Sequence, residues 1–451
     1  MFCQLETLRR CLPPSIRRSL GELPESLDET YERVLREIKK PNRDLAHRLL
    51  QCLVVAIRPL RVEELAEVLA VDFDDGEGTA KLNPSWRWED HEQALLSSCS
   101  SLISIVENVA VDSDVHRSYY DIQNDGSLVV QFSHFSVKEF LTSPRLASPS
   151  RDVSHYHIIL KPAHTIMAQA CLGILLRLDD GVEENVSANS SPLAGYAARH
   201  WVAHAQFQNV SSCVQIAMER LFDPDKPHFV AWRGLYNMDM DYDSTSPFVH
   251  FIFEPKSDAT PLYYASLCGF QDIVEHLIAK YPHQVNTGGG RYQTPALAAL
   301  AGRYFELAHL LHRNGSSVDL GRQTPLFSAA CRGDLEMVQV LLDYKADVDS
   351  RNGCDATPLV VASYKAHPQT LHVVRLLLEN GANPNARSDF GTTPLYAASS
   401  RGNLELVCLL LKYGADVEQE GENGKTPFQI ASEEGRHEVA NLLLDHGARR
   451  T

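Results

Sequence analysis

Hydrophobic residues in the C-terminal half of the chain recur with the spacing of paired helices. Leu404, Val407 and Leu410 lie on one helical face and predict the second helix of one such pair. The first helix of each pair begins at Thr-Pro, because the threonine hydroxyl accepts a hydrogen bond from an unpaired backbone amide and proline fits the first helical position. This dipeptide occurs six times, at intervals of 34, 30, 33, 36 and 33 residues, as Thr260-Pro261, Thr294-Pro295, Thr324-Pro325, Thr357-Pro358, Thr393-Pro394 and Thr426-Pro427.

Glycine marks the predicted helix ends, because a left-handed backbone costs least at glycine. The second helix ends in motifs such as Tyr413-Gly414-Ala415-Asp416 in four units, and the third unit has Lys345 where these four have glycine. The fourth unit lacks a glycine after its first helix. The predicted first-helix stops are Gly269, Gly302, Gly333, Gly402 and Gly435.

The unit of helix, turn, helix and polar hairpin, with Thr-Pro-Leu at its start and Gly-Ala-Asp at its end, resembles the ankyrin repeat. The resemblance covers residues 258–451 in six repeats, and it implies an α-solenoid whose concave face of first helices and hairpin tips binds other proteins. The histidine that usually follows Thr-Pro-Leu in the family is absent, so we expect apolar packing to dominate between repeats. The candidate partner-binding residues are Tyr292, Arg322, Arg351, Arg387, Asp389, Phe390, Glu422 and Asn423. The alternative is that these are solvated turn residues without a role in binding.

The N-terminal half has a different pattern. A capping box at Ser26 to Glu29 predicts a helix that ends before Pro41, and two further helices are predicted at residues 43–57 and 62–71. Two β-rich segments, Leu102–Val111 and Ser127–Phe132, predict a hairpin, and a helix follows from His134 to Leu141. Together these elements predict a mainly α, winged-helix-like module with a small β-hairpin over residues 1–145. Such modules serve nucleic-acid binding in some proteins and internal packing in others, and the acidic charge favours packing.

Three segments of this half, Leu23 to Glu32, Arg58 to Leu65 and Phe132 to Leu141, resemble the region after the nucleotide-binding domain in fungal NACHT and ankyrin proteins. The resemblance extends through residues 146–257, which correspond to a helical linker before the repeats. It implies that His134 occupies the position of a histidine that senses bound ADP. The alternative, which we prefer, is a histidine that caps or packs at the start of its helix.

Charge and composition narrow the classes of partner. Arg and Lys number 42 against 58 Asp and Glu, and the net charge of −16 disfavours nucleic acid and anionic membranes. The longest conspicuous apolar run, Leu49 to Ile57, is too short to cross a bilayer. The start of the chain carries no secretory signal pattern, so we expect a cytoplasmic protein. A nuclear location is the alternative. Ten cysteines without a Cys-x-x-Cys pair predict neither a zinc site nor a disulfide framework.

No motif of the sequence predicts catalysis, a cofactor or a metal. The string Gly421 to Thr426 has only two residues between its glycines, so it fails as a phosphate-binding loop and is predicted to be a turn. His200 and His204 have helical zinc spacing but lack the glutamate and third ligand of a protease site. The acidic run Asp239 to Asp243 lacks the glycine and glutamate of a calcium loop.

We therefore predict a non-enzymatic scaffold inside the cell that binds a partner protein through its repeats. The alternative is the sensing and regulatory half of a NACHT-type nucleotide-dependent switch. Its ATPase domain would lie upstream, because the chain begins with residues that resemble the middle of the related region. DNA binding through the winged helix is disfavoured by the net charge. The sequence predicts no oligomeric state.

Overall fold

The structure, a computed structural model, shows a chain that is mainly helical. It divides into two units, Met1–Asp241 and Tyr242–Thr451. The division predicted from the sequence, with boundaries after residues 145 and 257, remains a prediction. The residues that the structure describes are 26–73, 80–87, 90–99, 101–108, 127–148, 152–178, 191–238, 259–318, 325–365 and 369–450.

The first unit contains helices and short strands in the order that the sequence pattern predicts. Ser26 accepts a hydrogen bond from the Glu29 amide and so caps the first helix, which confirms the predicted start. The second and third helices end slightly earlier than predicted. The helices are α1 Leu27–Glu37, α2 Arg43–Val55, α3 Val62–Leu69, α4 His91–Cys99, α5 Phe135–Leu141, α6 Leu160–Leu175, α7 Ala194–Ala205, α8 Gln215–Leu221 and α9 His228–Leu235. The strands are β1 Leu60–Arg61, β2 Val71–Asp72, β3 Lys81–Leu82, β4 Ile103–Glu107 and β5 Leu128–Phe132.

Strands β4 and β5 confirm the predicted hairpin, with shorter bounds. They pair antiparallel with Ile105 opposite Val130, and β1 joins the other edge of β5 to give the order β1-β5-β4. Strands β2 and β3 form a separate antiparallel pair. The polar segment that connects the two strands, residues 109–126, lies outside the described residues. In the sequence, α3 and α4 come after the edge strand β1 and before the hairpin of β4 and β5.

Helix α6 lies at the centre of the first unit, packed against α2 and α7. Gly173 allows a close approach there, because a Cβ at this position would lie 2.3 Å from the carbonyl oxygen of Ala80. Trp201 of α7 meets Trp232 of α9 edge to face, with ring centroids 5.4 Å apart. The Trp232 indole donates to the carbonyl of Ala198 at 2.9 Å. The region predicted as a linker thus has a buried aromatic core of its own.

The second unit consists of helix pairs at the predicted positions. In five of the six pairs the described threonine accepts a hydrogen bond from the amide three residues later, as Thr260 does from Tyr263. Thr324 lies outside the described residues. The pairs are α10 Pro261–Leu267 with α11 Gln271–Lys280, α12 Pro295–Ala301 with α13 Phe305–Arg313, α14 Pro325–Arg332 with α15 Leu335–Asp343, α16 Pro358–Tyr364 with α17 Thr370–Glu379, α18 Pro394–Arg401 with α19 Leu404–Lys412, and α20 Pro427–Glu433 with α21 His437–Asp445.

The predicted left-handed stops are confirmed at four glycines and wrong at Gly302. Gly302 has a φ of −79°, and the next residue, Arg303, takes the left-handed backbone with a φ of 60°. In the four units with a left-handed glycine, the stop falls nine residues after the helix-starting threonine, and nine residues after Thr294 stands Arg303. Lys345, which replaces the glycine of the second-helix stop, is likewise left-handed with a φ of 59°. Position within the repeat therefore decides the backbone conformation.

Adjacent repeats are joined by a polar clamp that the sequence analysis missed. The side-chain amide of Asn385 donates to the carbonyl of Gly414 at 3.1 Å, and its oxygen accepts from the Asp416 amide at 2.7 Å. Asn286 makes the equivalent pair of bonds to Gly315 and Ser317. Adjacent repeats are therefore held by side-chain hydrogen bonds as well as by the apolar packing that we expected.

Candidate functional site

The hairpin tips of the last three repeats lie side by side and form the tip surface, defined by Arg351, Arg387, Asp389, Phe390, Glu422 and Asn423. The amide of Asp389 donates to the carbonyl of Cys354 at 3.1 Å, and Arg351 Nη1 donates to the carbonyl of Arg387 at 3.2 Å. Thr392 Oγ1 donates to Glu422 at 2.5 Å. The structure thus brings six of the eight predicted contact residues onto consecutive tips.

The two other predicted residues are not part of this surface. Tyr292 belongs to the tip of the second repeat, where its amide donates to the hydroxyl of Tyr263 at 3.2 Å. Its side chain is half-buried, and the ring lies near Arg291. Arg322 lies outside the described residues. A binding role for each of the eight residues remains a prediction.

Glycines fix the shape of the tip surface. Gly391 is left-handed with a φ of 83°, and a Cβ there would lie 3.0 Å from both Arg387 Nη2 and the carbonyl oxygen of Gly421. A Cβ at Gly421 would lie 2.2 Å from the ring of Tyr396. The amide of Gly421 donates to the carbonyl of Lys425 at 2.8 Å, which confirms that this glycine string is a hairpin turn and not a phosphate loop.

Phe390 is the most exposed feature of the tip surface. Its side chain is 70% exposed, and the neighbouring Arg387 and Asp389 are exposed as well. An exposed aromatic ring on the same hairpin as side chains of opposite charge offers both apolar contact and hydrogen bonding to a partner, and such residues are enriched at interaction hot spots.

The sequence analysis missed a second set of exposed side chains, at the ends of the first helices. Lys365 follows α16 and Arg401 ends α18, each eight residues after the threonine that starts its helix. The guanidinium of Arg401 lies 4.3 Å from the ring centroid of Tyr364. Alignment of the repeats on their threonines would have shown these positions.

His134 caps helix α5, as the preferred alternative predicted. Its Nδ1 accepts from the Ser136 amide at 3.3 Å and lies 2.6 Å from the Ser136 hydroxyl. The same hydroxyl lies 2.8 Å from the hydroxyl of Tyr31, which connects α5 to α1. These hydrogen bonds account for His134 as a helix cap. An ADP-sensing role for this residue remains a prediction.

Two buried glutamates of α3 are the main charged groups inside the first unit. Glu64 is fully buried and accepts from Arg58 Nη2 at 2.6 Å and from the Arg61 amide at 2.9 Å. Burial would raise the pKa of Glu64, but the hydrogen bonds and charges of Arg58 and Arg61 lower it below the usual value. Glu67 accepts from Arg87, from the Ser191 hydroxyl and from the Leu193 amide. These bonds join α3 to the segments that carry Arg58, Arg87 and Ser191, so both glutamates hold parts of the first unit together.

His204, one of the two histidines with zinc-like spacing, belongs to a buried hydrogen-bond chain. His204 Nε2 lies 2.9 Å from the Tyr196 hydroxyl, and His204 Nδ1 lies 2.9 Å from His164 Nδ1. The Tyr196 oxygen also accepts from the Ile57 amide. Both ring nitrogens of His204 are therefore engaged, and within the described ranges no group of His, Cys, Asp and Glu side chains could hold a metal. The acidic run Asp239 to Asp243 lies outside those ranges.

Acid should destabilise the first unit through His204. Burial, with His164 and His200 nearby, lowers the pKa of His204 to about 3. Between that value and the unfolded pKa of about 6.5 the unfolded chain binds a proton that the folded chain does not. A change from about pH 7.5 to about pH 5 should therefore lower the free energy of unfolding by about 2 kcal/mol through this group.

Urea unfolding followed by tryptophan fluorescence measures this change, because all four tryptophans, Trp86, Trp88, Trp201 and Trp232, lie in the first unit. His204→Gln should flatten the dependence on pH. His91→Gln, at the start of α4, should leave it unchanged. Equal slopes in wild type and His204→Gln would contradict the assignment.

The second unit is thus a solenoid of stacked helix pairs with hairpin tips. The family model described as ankyrin repeats in three copies matches residues 296–388 and 369–450. This part of the chain consists of ankyrin repeats, as the sequence predicted. Within the described residues no helix is both long and apolar enough to cross a membrane.

Curated relatives share parts of the chain. The azaphilone pigments biosynthesis cluster protein L of Monascus ruber is 30% identical over 308 residues, which cover 66% of this chain and 61% of that protein. Ankyrin repeat and SOCS box protein 16 of Homo sapiens is 35% identical over 116 residues, or 24% of each chain. The match therefore spans less than two thirds of either relative. A solved ankyrin repeat domain from Acinetobacter baumannii is 28% identical with a TM-score of 0.39, and it covers 43% of this chain and 100% of that domain.

Proposed function

We propose that the chain is a non-enzymatic scaffold that binds a partner protein through the concave face of its ankyrin repeats. The observation that carries the proposal is the tip surface, where Phe390 is 70% exposed in the same hairpin as the exposed Arg387 and Asp389. An aromatic side chain that stays in water does not contribute the hydrophobic stabilisation that its burial would give. Large apolar groups exposed in this way mark interaction sites. The buried glycines Gly391 and Gly421 allow the hairpins to pack closely, and a preorganised tip loses less entropy on binding.

In this proposal the first unit is a structural module and not a nucleotide-binding one. The sheet order β1-β5-β4, with α3 and α4 placed before the hairpin, supports the winged-helix-like interpretation of residues 1–145. The buried network of Glu64 and Glu67 supports a packing role, because the two carboxylates join segments of the first unit that lie far apart in the sequence. Cofactors and metals have no part in the proposed mechanism.

Photo-cross-linking in the native cell tests the proposal. A benzoylphenylalanine at position 390 retains the aromatic ring and should cross-link to a partner protein, because the reactive ketone would lie within the interface. The matched control carries the same residue at Leu404, which is also exposed but begins the second helix α19. Cross-links at position 390 and not at 404 are expected, whereas equal yields at both positions, or none at 390, would contradict the proposal.

A further inference from the structure

Helix α18, the first helix of the fifth repeat, carries a buried tyrosine whose hydroxyl has no partner. Tyr396 is only 6% exposed, and a Cβ on Gly421 of the next tip would lie 2.2 Å from its ring. Within the described residues no hydrogen bond reaches its hydroxyl. The tyrosine at the same position of the first repeat, Tyr263, accepts from the amide of Tyr292 at 3.2 Å. Tyr396 therefore lacks the partner that the next repeat supplies to Tyr263.

Three carboxylates lie around this hydroxyl and form what we name the acidic cluster: Glu422, Glu433 and Glu434. Burial raises the pKa of Tyr396, and the three carboxylates raise it further against the opposing charge of Lys425. Glu433 and Glu434 also act on Lys425, whose pKa is raised by its hydrogen bond to Glu433. The hydroxyl of Tyr396 thus faces the charged groups of the sixth repeat, and three of these four groups are negative.

Only part of this negative charge is neutralised within the chain. Lys425 Nζ lies 2.5 Å from Glu433 Oε2. Glu434 is exposed, and within the described residues it makes no hydrogen bond or ion pair. Glu422 accepts from a threonine hydroxyl and has no described cation within ion-pair distance, and Arg387 of the preceding tip likewise pairs with no described carboxylate. The cluster therefore keeps an excess of negative charge.

The chemistry of the acidic cluster fits a basic side chain. A metal ion does not fit, because no group of His, Cys, Asp and Glu side chains in the described ranges could hold one. A guanidinium or ammonium group carries several N–H donors that point in different directions, so it can bond to a hydroxyl and to a carboxylate at once. The local composition agrees, since residues 416–445 hold eight Asp and Glu against two Lys and Arg.

We propose that the acidic cluster binds a basic side chain of an extended segment of the partner protein, with Tyr396 Oη and the Glu434 carboxylate as acceptors. This inference rests on the proposed function and specifies the chemistry of the partner. The cluster adjoins the tip surface, because Thr392, two residues after Phe390, donates to Glu422 at 2.5 Å. Electrostatic complementarity selects a basic segment and excludes acidic ones.

Fluorescence anisotropy of the full chain tests the inference with three labelled peptides. Each has about eight residues, which extend over about 27 Å. Arg alternates with Ser in the first, Glu with Ser in the second and Gln with Ser in the third. Only the arginine peptide should bind, and its affinity should fall as salt is added.

A variant without a charge change tests the hydroxyl. Tyr396→Phe keeps the buried ring and should weaken binding of the arginine peptide about fivefold, since one hydrogen bond is lost. Its thermal unfolding, followed by circular dichroism, should match that of wild type, because the hydroxyl has no described partner within the chain. The matched control, Tyr263→Phe, removes a hydroxyl that accepts from the Tyr292 amide and should leave the affinity unchanged.

Two double variants test the charge. Glu422→Gln with Glu434→Gln should weaken binding of the arginine peptide about tenfold or more, because two attractive charges are removed and the shape is kept. The matched control, Glu379→Gln with Glu405→Gln, makes the same change of net charge at exposed positions of second helices α17 and α19. It should leave the affinity unchanged.

Several outcomes would overturn the inference: no binding of the arginine peptide, equal binding of the glutamate or glutamine peptide, unchanged affinity in Tyr396→Phe, or equal losses in both double variants. The proposed function fails independently of these results. If benzoylphenylalanine at position 390 cross-links to a protein while the arginine peptide does not bind, the scaffold function stands and the basic segment is wrong. If neither is seen, both fail.

Discussion

Leu410→Asp should unfold the last two repeats while the first unit stays folded. Leu410 is fully buried in α19, which packs against α17 and α21. Asp at this site would place an unpaired carboxylate in the core and leave a cavity, at a cost of about 4 kcal/mol. Because each repeat of a solenoid contacts mainly its neighbours, the damage should stay local.

Amide hydrogen exchange with peptide resolution measures this effect. Protection should fall across residues 393–450 and persist in residues 26–73. Cys408→Asp, on the exposed side of the same helix, is the control and should change protection little. Unchanged protection in Leu410→Asp would contradict the stacked-repeat core.

Glu67→Ala should be the most damaging single change of a polar residue in the first unit. Its carboxylate accepts from Arg87 Nη2 at 2.5 Å, from Ser191 Oγ at 2.7 Å and from the Leu193 amide at 2.8 Å. Removal of the carboxylate leaves the buried hydroxyl and amide without an acceptor. The expected loss is about 3 kcal/mol in the free energy of unfolding.

Urea unfolding followed by tryptophan fluorescence reports this loss for the first unit alone. Glu67→Gln retains an acceptor for the Leu193 amide but loses the charge, so its stability should fall between those of wild type and Glu67→Ala. Glu63→Ala, an exposed residue of the same helix, should change stability little. A loss of less than about 1 kcal/mol in Glu67→Ala would show that the network does not hold the first unit together.

Local sequence signals predicted the elements that depend on local chemistry. Thr-Pro fixed the helix starts, because both the cap and the missing amide act within one turn. The hairpin of β4 and β5 followed from its β-rich segments, and the cap at His134 from its place before a helix. The tip residues of the last three repeats could be located because they precede each Thr-Pro at a constant distance.

Features that depend on distant partners could not be read from the sequence. Glu67 meets Ser191 across 124 residues, and His204 meets His164 across 40, so no local periodicity marks either contact. Arg303 was missed for another reason: the glycine one position earlier gave a misleading stop signal.

The central claim is that the tips and first helices of the repeats bind a partner protein. Amide hydrogen exchange of the full chain, with and without the protein captured by cross-linking at position 390, tests it most directly. Added protection is expected at the tips around residues 352–356, 388–392 and 421–425 and along α16 and α18. Protection confined to the second helices α17 and α19, or to the first unit, would contradict the claim.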